Sequence, residues 1–317
     1  MLYPVFDAHS DTAHILWMKG RHLENDTCHV SLRRAEALGQ YAQVFSFCTT
    51  AWRKTVPPEE QYRLSKAYFV RELAENTDRI ALCGSAADIR RAWQEGKTAA
   101  VLGIEGAEAI GCDPGRLEEA AEEGVRIVTL TWNGENPLGG SHLTGGGLTA
   151  QGREFVRRAQ SLGMVIDLSH ASDEVFFDVC EIAQAPVIAS HSDSRALCGM
   201  SRNLTDEMFR CLAELHGFAG LNLYGSFLDE SGVSSVDALV RHAEHFWELG
   251  GDGFLGMGGD WDGIDALPQG MTGVDGIAGL ASAFDGRGIP PKTQERFFAG
   301  ALLRVLDDCG AKSLKSE

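Results

Sequence analysis

The sequence predicts a (β/α)8 barrel, the TIM-barrel architecture of the α/β class, and three observations support this. The chain has 317 residues, which suits a fold that typically needs about 250. Eight short apolar runs alternate with segments of helical period. Polar residues follow several of these runs. Because no repeat or change in composition divides the chain, we expect a single domain over residues 1–317.

The predicted strands are short runs of apolar or β-branched residues that end in polar residues or glycine. Their nearly continuous hydrophobicity is typical of parallel strands, because helices cover both faces of such a sheet. They span residues 5–9, 42–48, 99–105, 126–131, 164–170, 186–191, 219–224 and 254–258.

The predicted helices are the segments between these runs in which apolar residues recur with helical spacing. They span residues 59–76, 86–94, 116–123, 150–161, 173–182, 206–215, 236–249 and 293–308. A doubly wound open sheet would show the same alternation. We favour the closed barrel because His9 and Asp260, on the first and last strands, can meet only where the strand ends converge on one mouth. The glycine-rich segment 133–149 is predicted to be an active-site loop.

The composition excludes several classes of partner. Acidic residues outnumber basic ones by 45 to 28, which argues against nucleic-acid binding because that depends on lysine and arginine. No apolar run approaches the ~20 residues that cross a bilayer, and the N-terminus shows no signal-peptide pattern. The eight cysteines are scattered without a CxxC pair, as in proteins of a reducing compartment. We therefore expect a cytoplasmic protein without membrane contacts.

Candidate metal ligands follow the first and third predicted strands. His9 and Asp11 are two residues apart, so both side chains can address one ion if the segment is extended. Glu105 ends a buried strand, where a carboxylate must be paired or bound to a metal because an isolated buried charge is costly. A salt bridge to a loop arginine is the alternative for Glu105, whereas its two oxygens could also bridge two cations.

The fifth and sixth predicted strands end in the same way. Each apolar run is followed by Ser-His, at His170 and at His191. A single histidine at such a position is more often a core residue with satisfied hydrogen bonds, but two neighbours with the same pattern favour a pair of nitrogen ligands. Mixed nitrogen and oxygen ligands suit two divalent cations, zinc first, with Mn²⁺ or Co²⁺ as alternatives. Two such ions activate a bridging water as hydroxide and polarise a carbonyl, so amide hydrolysis follows, on a barrel of the metal-dependent hydrolase type.

Two further residues complete the chemistry. Asp260 lies in a glycine-rich string after the last strand; a simple turn is the alternative, but opposite a metal it becomes a candidate proton shuttle. Arg202 follows the sixth strand and suits a substrate carboxylate by bidentate hydrogen bonding. A serine hydrolase is disfavoured because no GxSxG elbow occurs.

At this point the sequence resembles the membrane (renal) dipeptidase family of metallopeptidases, peptidase family M19. The matching strings recur in family order over nearly the whole chain: Phe6-Asp-Ala-His-Ser-Asp11, Leu102-Gly-Ile-Glu-Gly106, Val128-Thr-Leu-Thr131, Ile166-Asp-Leu-Ser-His170, Pro186-Val-Ile-Ala-Ser-His191, Ser201-Arg-Asn203 and Gly258-Gly-Asp-Trp-Asp-Gly263.

The resemblance implies a (β/α)8 barrel with two zinc ions. Its ligand set would be His9 and Asp11 on the first ion, Glu105 as a bridge, and His170 with His191 on the second ion. Arg202 would bind the C-terminal carboxylate of a dipeptide, Asp260 would move a proton to the leaving amine, and Tyr224 would lie near the substrate. Family members tend toward dimers, so the resemblance also implies a homodimer.

The sequence departs from the family at Trp132, where the animal members have a histidine that helps to hold the reacting carbonyl oxygen. His142, in the glycine-rich loop, is a candidate substitute, and Trp132 would border the substrate. The leading hypothesis is a zinc dipeptidase whose substrates include dipeptides with a D-residue in second place. A hydrolase of other N-acyl amino acids, lactams or lactones is the main alternative, and a non-catalytic binding homologue is less favoured.

Overall fold

The computed structural model describes residues 3–25, 27–49 and 55–314, and in these ranges nine parallel strands form one sheet. The strands are β1 (Val5–Ser10), β2 (Tyr41–Cys48), β3 (Ile80–Leu82), β4 (Thr98–Glu105), β5 (Val125–Thr129), β6 (Val165–Asp167), β7 (Val187–Ala189), β8 (Phe218–Leu221) and β9 (Leu255–Met257). Eight of them pair in the order β1-β2-β4-β5-β6-β7-β8-β9. The short β3 pairs only with the start of β4.

The sheet is nearly closed, because its two outermost strands meet. Ser10 and Trp261 form an isolated parallel bridge, and the Asp11 amide donates to the Trp261 carbonyl at 2.8 Å. The Asp7 carboxylate strengthens this seam by accepting from the Gly259 amide and, at 2.8 Å, from the Trp261 indole. The predicted (β/α)8 barrel is therefore confirmed, and the open sheet is not what the chain forms.

Helices surround the sheet between the strands. They are α1 (Thr12–Lys19), α2 (Leu32–Leu38), α3 (Pro58–Glu75), α4 (Ala86–Gln94), α5 (Leu117–Glu122), α6 (Ala150–Ser161), α7 (Asp173–Ile182), α8 (Asp206–Glu214), α9 (Gly225–Leu228), α10 (Val236–Glu248), α11 (Ile277–Gly286), α12 (Pro291–Glu295) and α13 (Ala301–Asp308). The helices α6, α7 and α8 each begin after a serine or threonine whose side chain accepts from a first-turn amide. None of the helices in the described part of the chain is long and apolar enough to cross a bilayer.

The core lies on both sides of the strands. One buried apolar cluster joins the sheet to the surrounding helices, with Phe45, Phe155 and Phe209 among its largest members. A second cluster joins Phe6 and Ile188 of the sheet to residues of α4 and α13.

The observed elements differ from the predicted ones in several places, and strand β3 and helices α2, α9 and α11 lie outside the predicted set. Strands β6 and β7 end before the predicted limits at 170 and 191, because the Asp167 carboxylate accepts from the Ser169 and Ser190 amides that would otherwise extend the ladder. The predicted helix 293–308 contains a π-helical turn over residues 296–300. Helix α1 was not predicted, since its residues 12–16 are buried together and show no polar face.

Candidate metal centre and substrate pocket

Strand ends that are far apart in the sequence bring the predicted ligands together at the mouth of the barrel. The Glu105 carboxylate lies at the centre. Its Oε2 is 3.5 Å from His9 Nε2, while its Oε1 is 2.9 Å from His170 Nε2 and 3.4 Å from His191 Nε2. Because its two oxygens face different histidines, this carboxylate is placed to be shared between two ions.

The donor atoms form two overlapping groups, each compact enough to hold one cation. His9, Asp11 and Glu105 make one group, and Glu105, His170 and His191 make the other. All five side chains are buried. The arrangement brings together the five residues that the sequence predicts as ligands.

The unpaired atoms of this site fit a metal. His9 Nε2 and Asp11 Oδ1 are buried and have no hydrogen-bond partner among the described residues. A buried polar atom without a partner costs about 1–3 kcal/mol, and imidazole nitrogens with carboxylate oxygens are the donors that Zn²⁺, Mn²⁺ and Co²⁺ accept. The residues present therefore fit divalent transition-metal ions.

The electrostatics of the site are strongly perturbed. Burial favours protonated Glu105, but the histidines around it outweigh burial and hold the pKa of Glu105 well below its ordinary value. Burial opposes a charge on His9, yet Glu105, with Asp260 and Asp11, raises the pKa of His9 to about 10. Burial and Glu105 raise the pKa of Asp11 well above its ordinary value. Cation binding at this position would therefore displace a proton.

The three histidines are oriented by partners on their other ring nitrogen. His191 Nδ1 lies 2.7 Å from Ser190 Oγ, which donates to Asp167 at 2.7 Å. His170 Nδ1 lies 2.8 Å from Asn133 Oδ1. His9 Nδ1 has a longer contact, 3.4 Å, with Ser46 Oγ.

Asp260 reaches the site from the other edge of the sheet. Its backbone has a positive φ of 55°, a conformation that is costly outside glycine. Its Oδ1 lies 4.0 Å from His9 Nε2, and its Oδ2 accepts a hydrogen bond from the side-chain Nδ2 of Asn222 at 3.0 Å. Burial raises the pKa of Asp260 above its ordinary value, which suits a group that takes up and releases a proton.

Arg202 is a buried cation without a carboxylate partner within ion-pair distance in the described chain. One guanidinium nitrogen donates to Ser192 Oγ at 2.9 Å and another to the His191 carbonyl at 3.4 Å, while Nε has no partner. Burial lowers the pKa of Arg202 from its ordinary value. An unpaired buried guanidinium beside an open pocket is suited to an anionic ligand.

A cavity of about 240 Å³ opens between these groups and is bordered by Trp132, His142, Tyr224 and Phe227. The Trp132 ring centroid lies 6.1 Å from that of His170. The Tyr224 ring packs edge-on against Phe227, with centroids 5.0 Å apart. All ten predicted site residues therefore lie at or around this mouth.

His142 is held at the rim by both ring nitrogens. Its Nε2 is 2.9 Å from Asn133 Oδ1 and its Nδ1 is 2.9 Å from Ser201 Oγ. Burial, with the charge of Arg202, lowers the pKa of His142 to about 3. The ring is therefore neutral, and both of its nitrogens have a hydrogen-bond partner in the structure.

Sequence reasoning missed the residues that hold the ligands in place: Asn133, Asp167, Ser190 and Asn222. Asn222 directly follows β8, so the rule that polar residues after strand ends approach the mouth could have found it. Asp167 lies within a strand and looked like part of an apolar run.

This fold and this site define a metal-dependent hydrolase built on a (β/α)8 barrel. The model of the membrane dipeptidase family, peptidase family M19, matches residues 2–316. The chain therefore belongs to that family, and the predicted class of enzyme, a metallo-dipeptidase that acts on peptide bonds, is confirmed.

Relatives from bacteria agree with this assignment. The chain is 33% identical over 246 residues to an uncharacterized protein in the pqqA 5' region of Klebsiella pneumoniae, covering 74% of this chain and 90% of that protein. A metallo peptidase from Rhodobacter sphaeroides, solved with a phosphinate mimic of L-Ala-D-Ala, is 26% identical with a TM-score of 0.85, covering 97% and 99% of the two chains. A dipeptidase of family M19 is 28% identical with a TM-score of 0.88, covering 98% and 100%.

Proposed function

We propose that this protein is a binuclear zinc dipeptidase whose substrates carry a free C-terminal carboxylate. The observation that carries the proposal is the buried Glu105 carboxylate, whose two oxygens face His9 on one side and His170 with His191 on the other. His9 and Asp11 would hold one ion and the two other histidines the second. Mn²⁺ and Co²⁺ suit the same donors.

The bound ions would supply a water of lowered pKa and polarise the peptide carbonyl. The protein's own groups do the rest. Arg202 binds the substrate carboxylate, which sets the scissile bond one residue away from that anchor. Asp260, raised in pKa by burial, takes a proton from the attacking water and gives it to the leaving amine. Tyr224 and Trp132 border the cavity in which the substrate would lie.

The relative solved with a mimic of L-Ala-D-Ala supports dipeptides with a D-residue in second place as substrates. The second candidate is hydrolysis of other N-acyl amino acids, lactams or lactones at the same centre. Trp132 favours it, because an indole stands where the animal members place a histidine and it reshapes the wall beside His170. Comparison of kcat/KM for dipeptides and for N-acyl amino acids separates these two candidates.

The test is elemental analysis of the purified protein together with a panel of dipeptides that includes L-Ala-D-Ala. We expect two zinc ions per chain and release of amino acids that stops after chelation and returns with Zn²⁺. Tight dipeptide binding without cleavage would favour the non-catalytic homologue, and absence of turnover for every dipeptide tested with metal-loaded protein would refute the proposal. The homodimer, the single domain and the cytoplasmic location remain predictions, which size-exclusion chromatography, limited proteolysis and cell fractionation test.

A further inference from the structure

Asn133 lies at the point where two imidazole rings meet. Its Oδ1 is 2.8 Å from His170 Nδ1 and 2.9 Å from His142 Nε2. A carboxamide oxygen has two lone pairs and only accepts, so both rings must present an N–H to it. With its Nδ1 proton directed to Asn133, His170 would bind a metal through Nε2, which lies 2.9 Å from Glu105 Oε1.

The segment around Asn133 also holds the main chain of His170. His170 has a positive φ of 69°, which costs about 1–3 kcal/mol in a residue other than glycine. Its carbonyl accepts from the His142 amide at 2.8 Å and from Thr131 Oγ1 at 3.4 Å. Ser141 Oγ donates to the Asn133 carbonyl at 2.9 Å, so the start and the middle of this loop are joined beside the ligand.

The partner of His170 differs from those of the other two histidines. Ser190 and Ser46 lie on or next to strands of the barrel, whereas Asn133 belongs to the glycine-rich loop that also borders the substrate cavity. The loop therefore contacts the ligand His170 through Asn133. Through His142 it also contacts Ser201, the residue next to Arg202.

We infer that Asn133 is a positioning residue of the metal centre, which orients His170 as a ligand and ties that ligand to the loop over the cavity. This inference rests on the proposed binuclear centre. The side-chain oxygen of Asn133 supplies the acceptor that both imidazole rings share. An aspartate at this position would keep the acceptor.

The first experiment measures Zn²⁺ affinity by competition with a chromophoric chelator. Loss of an outer hydrogen-bond partner typically weakens metal binding roughly 10- to 100-fold, so we expect Asn133→Ala to weaken one of the two ions by this factor. Asn133→Asp should stay within a few-fold of the wild type. Asn136→Ala is the matched control, because Asn136 lies in the same loop and bonds the Leu130 carbonyl and the Leu138 amide instead of a histidine.

The outcomes separate this inference from the proposed function. Unchanged affinity in Asn133→Ala would overturn the inference, as would equal weakening in Asn133→Asp or in Asn136→Ala. A wild-type protein that binds fewer than two zinc ions would instead overturn the proposed centre.

The second experiment needs no change at Asn133. In Zn²⁺-loaded wild-type protein labelled with ¹⁵N-histidine, we expect His170 to carry its proton on Nδ1, with slow exchange, and the metal on Nε2. The signal is assigned by its loss in His170→Gln. A His170 that lacks the Nδ1 proton would mean that the Asn133 amide group is turned the other way, and the inference would be wrong.

Discussion

The two sides of the metal centre are built differently. The side beside β1 and β9 contributes His9 and Asp11 to a group with Glu105, and Asp260 lies next to it, whereas the side beside β6 and β7 contributes His170 and His191. Oxygen donors dominate the first position and nitrogen donors the second. The two ions would therefore experience different ligand fields although they share Glu105.

The two sides also differ in how they are held. Strands β6 and β7 pair in regular register, and Asp167 between them accepts from the Ser169 and Ser190 amides. Strand β1 meets the segment that follows β9 at the isolated bridge between Ser10 and Trp261, and Asp7 joins the two through its hydrogen bonds to Gly259 and Trp261. One side relies on a strand ladder and the other on a buried carboxylate at the seam of the barrel.

The largest effect is expected from a change at Glu105, the group that the two sides share. Glu105→Gln takes away the negative charge between them, so both ions should bind weakly and dipeptidase activity should disappear. The loss of affinity should exceed the roughly 10- to 100-fold typical of outer partners. Elemental analysis that still finds two ions per chain would contradict this role of Glu105.

A change on the oxygen-rich side alone should lower the rate of catalysis. General acid–base groups contribute roughly 100- to 10,000-fold, so Asp260→Asn should reduce kcat by such a factor. Both ions should remain bound, because the two donor groups that contain Glu105 do not include Asp260 and an amide at this position keeps an oxygen beside His9. Unchanged kcat at saturating dipeptide would remove Asp260 from the proton path.

A change at the substrate anchor should act mainly on binding. A hydrogen bond to a charged group contributes about 1.5–3 kcal/mol, so Arg202→Ala should raise KM roughly 10- to 100-fold and reduce the preference for dipeptides over their C-terminal amides. Steady-state kinetics with matched acid and amide substrates measure this. Equal preference in wild type and variant would exclude Arg202 from carboxylate recognition.

The comparison of the two supports is tested by a pair of variants. Asp7→Asn and Asp167→Asn should each lower the free energy of unfolding by about 1–3 kcal/mol, because an amide group then faces N–H or O–H donors. Asp7→Asn should weaken binding of the ion at His9, and Asp167→Asn should weaken binding of the ion at His170 and His191. Urea unfolding and chelator competition measure both effects; the reverse pattern of metal loss would refute the comparison.

The smallest effect is expected at Asp88, a carboxylate outside both sides of the metal centre. Its substitution gives a reference value for the change in the free energy of unfolding. Burial alone would raise its pKa, but donation from the Gly84 amide, Arg91 and the Leu314 amide holds the pKa of Asp88 below its ordinary value. Its contribution is thus present above the unfolded pKa of about 3.9 and is lost as the pH falls through the lower folded value.

Asp88→Asn should lower the free energy of unfolding at pH 7 by about 1–2 kcal/mol. The difference from wild type should shrink as the pH falls below about 4. Thermal unfolding of both proteins between pH 7 and pH 3 measures it, and a difference that grows toward low pH would show the opposite sign.

The sequence predicted the barrel and the gathering of the ligands because both depend on local features. Apolar runs set the strands, and the polar residue after each run, such as Glu105 or His191, marks the mouth. The supports could not be predicted in the same way. Asn133 and Asp167 act on residues of neighbouring strands, and Asp7 acts across the seam on residues more than 250 positions away. Such contacts depend on register and closure, which a single strand does not reveal.

The seam between β1 and β9 has a consequence for biosynthesis. Asp260, which lies 4.0 Å from His9 in the finished molecule, leaves the ribosome some 250 residues after it. The two side chains can therefore meet only after synthesis has passed β9, so the candidate site is complete only when the last wall of the barrel has been made.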